Sequence, residues 1–367
     1  MAQLTIVIEP LPRLDQLASL WRDFDRMGAH DFFVTWTWLG TWLQALPNSV
    51  RPQLVKAMRG DVVVGLATVS LTSSRLHGLV PISQAWLNAS GNSDIDQLTI
   101  EHNGFASAQV SREQLMQGLI RTFAEGQISA DELVLPGIAG VIPGRKLIDV
   151  GKLVPAFGTR LDKLDSSQGI EPLLSPNARQ QLRRSLRQAQ RVGPIKVEVA
   201  PNLSTALQFF EQMKILHIHW WERRGRRHAF SHSFFEKFHL ELVANGMRDK
   251  NIDLLRVSAG DHVIGYLYNF RRNGKISSYQ TGFDESIPNL RPGYICHALA
   301  MKHYADEGML CYDFLAGSNR LKQSFSSERY ELGWHHLRRK TTLFQIDATA
   351  RRIGSALKER LNQNSGG

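Results

Sequence analysis

The chain has 367 residues with 43% hydrophobic and 21% charged content, an ordinary globular make-up and enough length for two domains of usual size. A net charge of +10 turns the surface toward anionic partners without saying which, since nucleotide cofactors, tRNA and acidic lipids all suit it. Residues 62–71, the most apolar run, are too few to span a bilayer, and residues 1–5 lack a basic leader, so a cytoplasmic protein with no membrane span is expected.

In chain order, residues 4–8 read as a strand ended by Glu9-Pro10, and Leu14, Leu17, Leu20, Trp21 and Phe24 give helical spacing through Met27. Thr35 is an N-cap candidate for a helix carrying Trp38 and Trp42 on one face, where indoles most simply serve as core anchors. Residues 54–58 and 62–71 flank Arg59-Gly60-Asp61 as a hairpin. Leu98-Thr99-Ile100 is then expected as a strand, 114–123 as an amphipathic helix and 132–135 as a strand closed by Pro136-Gly137. Residues 162–176, rich in Asp, Ser, Gly and Pro, read as the connection between two halves.

Beyond it, Ser175-Pro176 suits a helix start, and Arg179, Arg183, Arg187 and Arg191 fall four apart on that helix. A solvated face, pairing with carboxylates of the fold, and contact with a polyanion all account for such a stripe. Helices are expected over 207–221 and 234–243; His217 and His219 point to different helix faces and do not form a chelating pair, so no metal site is assigned. Cys296 and Cys311 have no zinc or disulfide spacing and read as core thiols.

Residues 252–257, 262–270 and 275–283 form a three-strand meander whose second turn, Arg271-Arg272-Asn273-Gly274, carries the strongest short hairpin signal. Arg291-Pro292-Gly293 leads into a helix over 294–306, and 310–315 read as a strand closed by Ala316-Gly317. The first half reads as a degenerate copy of this order, with no repeat at the residue level. Residues 334–345 are expected as a last strand, 348–361 as a helix and 364–367 as a disordered tail.

The order of three strands, Pro-Gly turn, helix and strand resembles the cofactor-binding half of a GNAT acyltransferase. More narrowly, Arg291-Pro292-Gly293 followed by Tyr312-Asp313-Phe314-Leu315-Ala316-Gly317 and Lys322 is similar to the CelD-like branch of that superfamily, which is related to Fem-type aminoacyl transferases. Leu321 stands where that branch has a Tyr before its Lys. The Trp-rich helix, the Gly91 to Asp96 turn and the Arg-rich helix resemble further segments of the branch. The fold implied is α/β with tandem GNAT-like domains, each a mixed, mostly antiparallel twisted sheet flanked by helices. Residues 1–164 would be a degenerate first domain, 165–345 the catalytic domain and 346–367 a terminal helix and tail.

The activity implied is transfer of an acyl group from acetyl-CoA or a longer acyl-CoA to a small-molecule or saccharide amine, in envelope polysaccharide work. Such transfer needs a base for the acceptor amine and a group to stabilise the tetrahedral oxyanion. Asp313, Lys322 and Tyr279 are the candidates, with Asp313 and Lys322 alternatively a structural ion pair. Arg291, Pro292, Gly293 and Tyr294 would face the cofactor diphosphate, and Trp221 the acceptor. Arg183 and Arg187 would contact substrate, most directly if the donor were aminoacyl-tRNA, the Fem-type alternative. A non-catalytic binding module keeping only the fold is the third reading. No Gly-x-x-x-x-Gly-Lys-Ser/Thr loop and no Gly-x-Ser-x-Gly elbow occurs, so neither nucleotide hydrolysis nor serine-hydrolase chemistry has a motif to rest on.

Overall fold

The structure, a computed structural model, describes residues 4–140, 147–164, 169–287, 289–349 and 351. The first half runs β1 (Leu4–Pro10), α1 (Leu14–Met27), α2 (Trp36–Ala45), β2 (Gln53–Arg59), β3 (Val62–Leu76), β4 (Val80–Leu87), β5 (Ala106–Ser107), α3 (Arg112–Ala124), β6 (Glu132–Ala139), β7 (Leu147–Asp149) and β8 (Lys152–Arg160). The second runs α4 (Pro176–Val192), β9 (Ile195–Val199), α5 (Leu203–Glu222), α6 (Ser233–Asp249), β10 (Ile252–Ala259), β11 (His262–Arg272), β12 (Lys275–Phe283), α7 (Pro292–Asp306), β13 (Cys311–Ala316), α8 (Arg320–Phe325) and β14 (Glu328–Arg339).

Local chemistry sets these boundaries. Thr35, Ser111, Ser175 and Asn202 each cap a helix by accepting a backbone N–H three residues on, which satisfies one of the orphan donors of the first turn. Asn273 and Gly274 both take positive φ, at +49° and +74°, as a two-residue hairpin turn requires between β11 and β12.

One sheet holds all the described strands, in the order β1-β2-β3-β4-β6-β14-β8-β13-β12-β11-β10-β9, with β5 paired to β3 and β7 to β14. Read inward from either edge, the order is the same. Four strands, β1 to β4 or β9 to β12, are antiparallel neighbours, and the fourth pairs in parallel with the strand after a crossover helix, β6 or β13. The sheet does not break at residue 164: β8, from the first half of the sequence, pairs with β13, and β14, from the second, pairs with β6. Each half therefore completes the sheet of the other, and β8 against β14 forms the seam.

The helices add a second junction. Thr37 Oγ1 on α2 donates to Asp249 Oδ2 (2.9 Å), Asn245 Nδ2 on α6 donates to Thr41 Oγ1 (2.9 Å), and the rings of Trp38 and Phe238 meet edge to face at 5.0 Å. Trp38 and Trp42, 2% and 3% exposed, belong to the core, as their spacing suggests.

Two expected strands differ. Residues 98–100 form no strand: the Asp96 carboxylate accepts the N–H groups of Ser90 (2.9 Å) and Gly91 (2.8 Å), tying the segment into a loop that ends in a 3₁₀ turn with Thr99 left-handed at φ +47°. The final strand stops at Arg339 rather than 345, and 342–349 are helical, with Asp347 held by Arg338 (2.7 Å) and His77 (2.5 Å). The tail 364–367 and most of the helix over 348–361 lie outside the described residues. β4, β5, β7, β8, β9 and α8 carry no strong period and are absent from the sequence reading.

Candidate active site

The parallel pair of β12 with β13 is short. Lys275, Ile276 and Ser277 pair with Cys311, Tyr312 and Asp313, and beyond Asp313 the two strands diverge. The split exposes Tyr279, Gln280 and Thr281 on one side and Phe314, Leu315 and Ala316 on the other, and α5, α8 and the first-half loop 93–101 close it into a cleft of about 740 Å³.

Asp313, the last paired residue, is 3% exposed and anchors the split from beneath. Its Oδ1 accepts the Tyr330 hydroxyl (2.6 Å) and the Leu315 N–H (2.8 Å); Oδ2 meets His102 Nε2 (2.8 Å) and Lys275 Nζ (3.5 Å). The Leu315 bond accompanies a left-handed turn at that residue, φ +62°, and it is this turn that bends β13 away from β12. Burial alone would raise the Asp313 carboxyl, but the His102 hydrogen bond, Lys275 and Tyr330 outweigh it and hold the group well below the usual carboxylate range. Lys275 is raised in turn, because Asp31 and Asp313 more than offset its burial.

Glu101 supplies the carboxylate that lines the cleft. It is 6% exposed, its Oε2 accepts the N–H of Ala316 (2.7 Å), and burial pushes its pKa up to about 7 against the weaker opposing pulls of that hydrogen bond and of Lys322. Lys322, also on the cleft wall, donates from Nζ to the carbonyls of Ala316 (2.6 Å) and Leu315 (3.3 Å), and burial lowers its pKa. A carboxylate poised near neutrality and a held ammonium thus flank the splayed end of β13, the pairing of base and oxyanion partner that acyl transfer needs.

The sequence-derived residues divide. Tyr279, Lys322 and Trp221 line the cleft, although the Tyr279 hydroxyl is committed to the carbonyl of Leu98 and is pushed well up by burial. Asp313 lies behind the wall. Asp313 and Lys322 do not pair: each has its own set of partners, so the expected ion pair between them is replaced by two separate anchors. Arg183 and Arg187 are on the outer face of α4, Arg183 bonded to Glu171 (2.6 Å) and Arg187 to the carbonyl of Arg183 (3.3 Å), and neither borders the cleft.

Arg291, Pro292, Gly293 and Tyr294 open α7 as expected, but the helix start is covered. A Cβ on Gly293 would lie 2.9 Å from Leu321 Cδ1 and 3.2 Å from Phe283, the Tyr294 ring meets Phe325 edge on at 4.9 Å, and Arg291 bonds Gln181 Oε1 (2.7 Å). Leu321, in place of the Tyr of the resembled branch, is thus a packing residue. None of the four borders the cleft as placed. Among the described residues no group of three His, Cys, Asp or Glu side chains could hold a metal ion, and no helix is long and apolar enough to cross a membrane.

Glu101, His102, Lys275 and Tyr330 were not singled out by the sequence, because no motif links them. Glu101 and His102 are more than two hundred residues from Asp313, and only the placement of the 96–103 loop against β13 unites them.

A twisted, mostly antiparallel sheet that splits between two parallel strands beside a crossover helix is a GNAT-like fold, and the same strand order occurs twice in the one sheet. Residues 176–323 match the family model described as an acetyltransferase (GNAT) domain. Among solved structures the chain is similar to FemX, at 14% identity and TM-score 0.57 over 90% of this chain and 98% of that one. It is also similar to L-PGS from Bacillus licheniformis, at 10% identity and TM-score 0.51 over 96% of this chain and 99% of that one. No curated protein sequence matches. At such identities the likeness is one of fold.

Proposed function

We propose that the chain is an acyltransferase that moves an acyl group onto an amine or amino-sugar acceptor in the cleft between β12 and β13, with Glu101 as general base. The observation that carries this is Glu101 itself: a buried carboxyl near neutral pKa, fixed by Ala316 and facing the cleft beside Lys322. The acceptor nitrogen attacks the acyl carbonyl carbon and gives its proton to Glu101, the oxyanion that develops faces the Lys322 ammonium, and collapse breaks the bond to the donor's leaving atom, which takes that proton from Glu101. Asp313, His102, Tyr330 and Lys275 keep the strand end in position. The test is product formation by mass spectrometry from acetyl-CoA or aminoacyl-tRNA and a panel of amines, wild type against Glu101→Gln.

For the donor, the GNAT domain match supports acyl-CoA, and envelope polysaccharide work follows from the CelD-like resemblance. The covered start of α7 favours the second reading, an aminoacyl-tRNA donor of the Fem type, which asks for no diphosphate cradle there. The basic α4 face and the cleft-lining Arg227, which has no acidic partner among the described residues, agree with it.

A further inference from the structure

The first half contains the counterpart of the reaction cleft. β4 and β6 pair in parallel only through Gln84, Ala85 and Trp86, and then separate as β12 and β13 do. The split is not filled. It opens a pocket of about 430 Å³ lined by Trp38, Trp42, Trp86 and Trp334, four of the eight tryptophans in the chain. Trp38 and Trp42 are its buried floor, and Trp86 and Trp334, partly exposed, are its walls. Indoles that served only the core would close such a space.

We propose that this pocket binds a pyranose ring of a saccharide. A sugar presents apolar C–H faces and a polar edge, and the pocket offers both complements. The indoles supply apolar surface, and His336 and Lys152 stand on the same wall. Nδ1 of His336 is held by Glu132 (2.7 Å), which leaves Nε2 for a hydroxyl, and the exposed Lys152 ammonium has no acidic partner among the described residues. An acyl chain would match the indoles but make no use of these polar groups.

The pocket also adjoins the reaction cleft. Thr99 borders both, and its left-handed conformation is one a β-branched residue takes only where the surroundings impose it, as at binding sites. A saccharide with one ring between the tryptophans would pass over Thr99 and bring the amine of a following ring toward Glu101. The pocket's meaning as an acceptor subsite rests on the acyl-transfer reading; its binding of sugar does not.

The test is intrinsic tryptophan fluorescence and calorimetry with chitotetraose and cellotetraose, with dodecanoate as the apolar probe. Wild type is expected to bind at least one oligosaccharide saturably, and Trp334→Ala to weaken that binding about tenfold, the loss typical of a truncated aromatic anchor. Should Trp334→Ala not fold, as judged by its thermal transition, Lys152→Met carries the same expectation at smaller size. The reaction reading fails separately: wild-type turnover in Glu101→Gln would sink it and leave the sugar binding standing. Absence of saturable binding by both oligosaccharides, equal binding in the pocket variants, or binding of dodecanoate alone would each overturn the proposal.

Discussion

The carboxylate of Glu101, in a loop of the first half, accepts the backbone N–H of Ala316, at the splayed end of β13 in the second, across 2.7 Å. The bond ties the putting-together of the cleft to the packing of the two halves, and it leaves the carboxylate on the wall where an acceptor amine would arrive. Glu101→Gln keeps the hydrogen-bonding shape and removes the proposed base. Turnover should fall by roughly 10²- to 10⁴-fold with donor affinity little changed, read from kcat and from a binding titration.

Protonation of the same group gives a second expectation with a definite sign. The folded pKa of Glu101 is raised from 4.5 to about 7, so activity that needs the carboxylate should rise with pH through about 7. A raised carboxyl contributes stability that is full below its unfolded pKa and is lost as pH climbs through the folded one. Glu101→Gln should therefore be more stable than wild type at pH 8, by on the order of 1–3 kcal/mol, and show little difference near pH 4. Thermal unfolding of both proteins at the two pH values decides this; equal melting at pH 8 would remove the case for a buried, strained carboxylate.

Asp313 should behave in the opposite way. Its partners lower its pKa, so its stabilising contribution is present above the unfolded value of 3.8 and fades as the pH falls toward the folded one. Asp313→Asn at pH 7 would leave part of the Lys275 charge uncompensated in a buried place and break the hydrogen-bond set with His102 and Tyr330, a loss of roughly 3 kcal/mol, and the melting point should drop. The gap between variant and wild type should narrow in acid. Lost turnover at an unchanged melting point would instead place Asp313 in the chemistry.

The elements were legible where one period dominates. The meander over 252–283 has β-branched and aromatic alternation with an Asn-Gly turn, and it folds with nearly the expected boundaries. The candidate site was legible only on its second-half side: Asp313, Lys322 and Tyr279 sit close to a recognisable strand and helix, whereas Glu101 follows the triplet Leu98-Thr99-Ile100, which reads as a strand and is a loop. What turns that triplet is the Asp96 carboxylate gathering the N–H groups of Ser90 and Gly91, a side-chain effect that periodicity does not register. The exchange of β8 and β14 between halves is likewise invisible to local pattern, since it depends on pairing between residues about 170 apart.

Gly293 distinguishes packing from cofactor binding. A cradle for a diphosphate would let Gly293→Val fold normally and lose only donor affinity. In the structure the new side chain would run into Leu321 and Phe283, so the variant should melt at lower temperature, by roughly 1–3 kcal/mol of stability, whether or not a donor is present. Pairing it with Leu321→Ala should recover part of that loss, because the two residues contest the same space. A Gly293→Val protein with wild-type melting would show that the helix start is open after all.

The donor itself is decided by ligand linkage and salt. A ligand that binds only the folded state at one hundred times its Kd adds about 2.7 kcal/mol, enough to move a melting curve visibly. With α7 covered by α8, acetyl-CoA should produce little shift, and aminoacyl-tRNA should produce a clear one at low salt. Affinity for tRNA should then fall linearly on a double-logarithmic salt plot, with a slope of about 0.7 to 0.9 for each phosphate neutralised. The outer face of α4 supplies a direct check, because among the described residues the exposed Arg187 bonds a backbone carbonyl and no acidic side chain, while Arg183 already faces Glu171. Arg187→Glu should weaken tRNA binding and reduce the slope by about one, and Arg183→Glu should weaken binding less than its formal charge change suggests. A strong acetyl-CoA shift together with no tRNA binding at low salt would rule out the aminoacyl reading and require α8 to lift from the helix start to admit the cofactor.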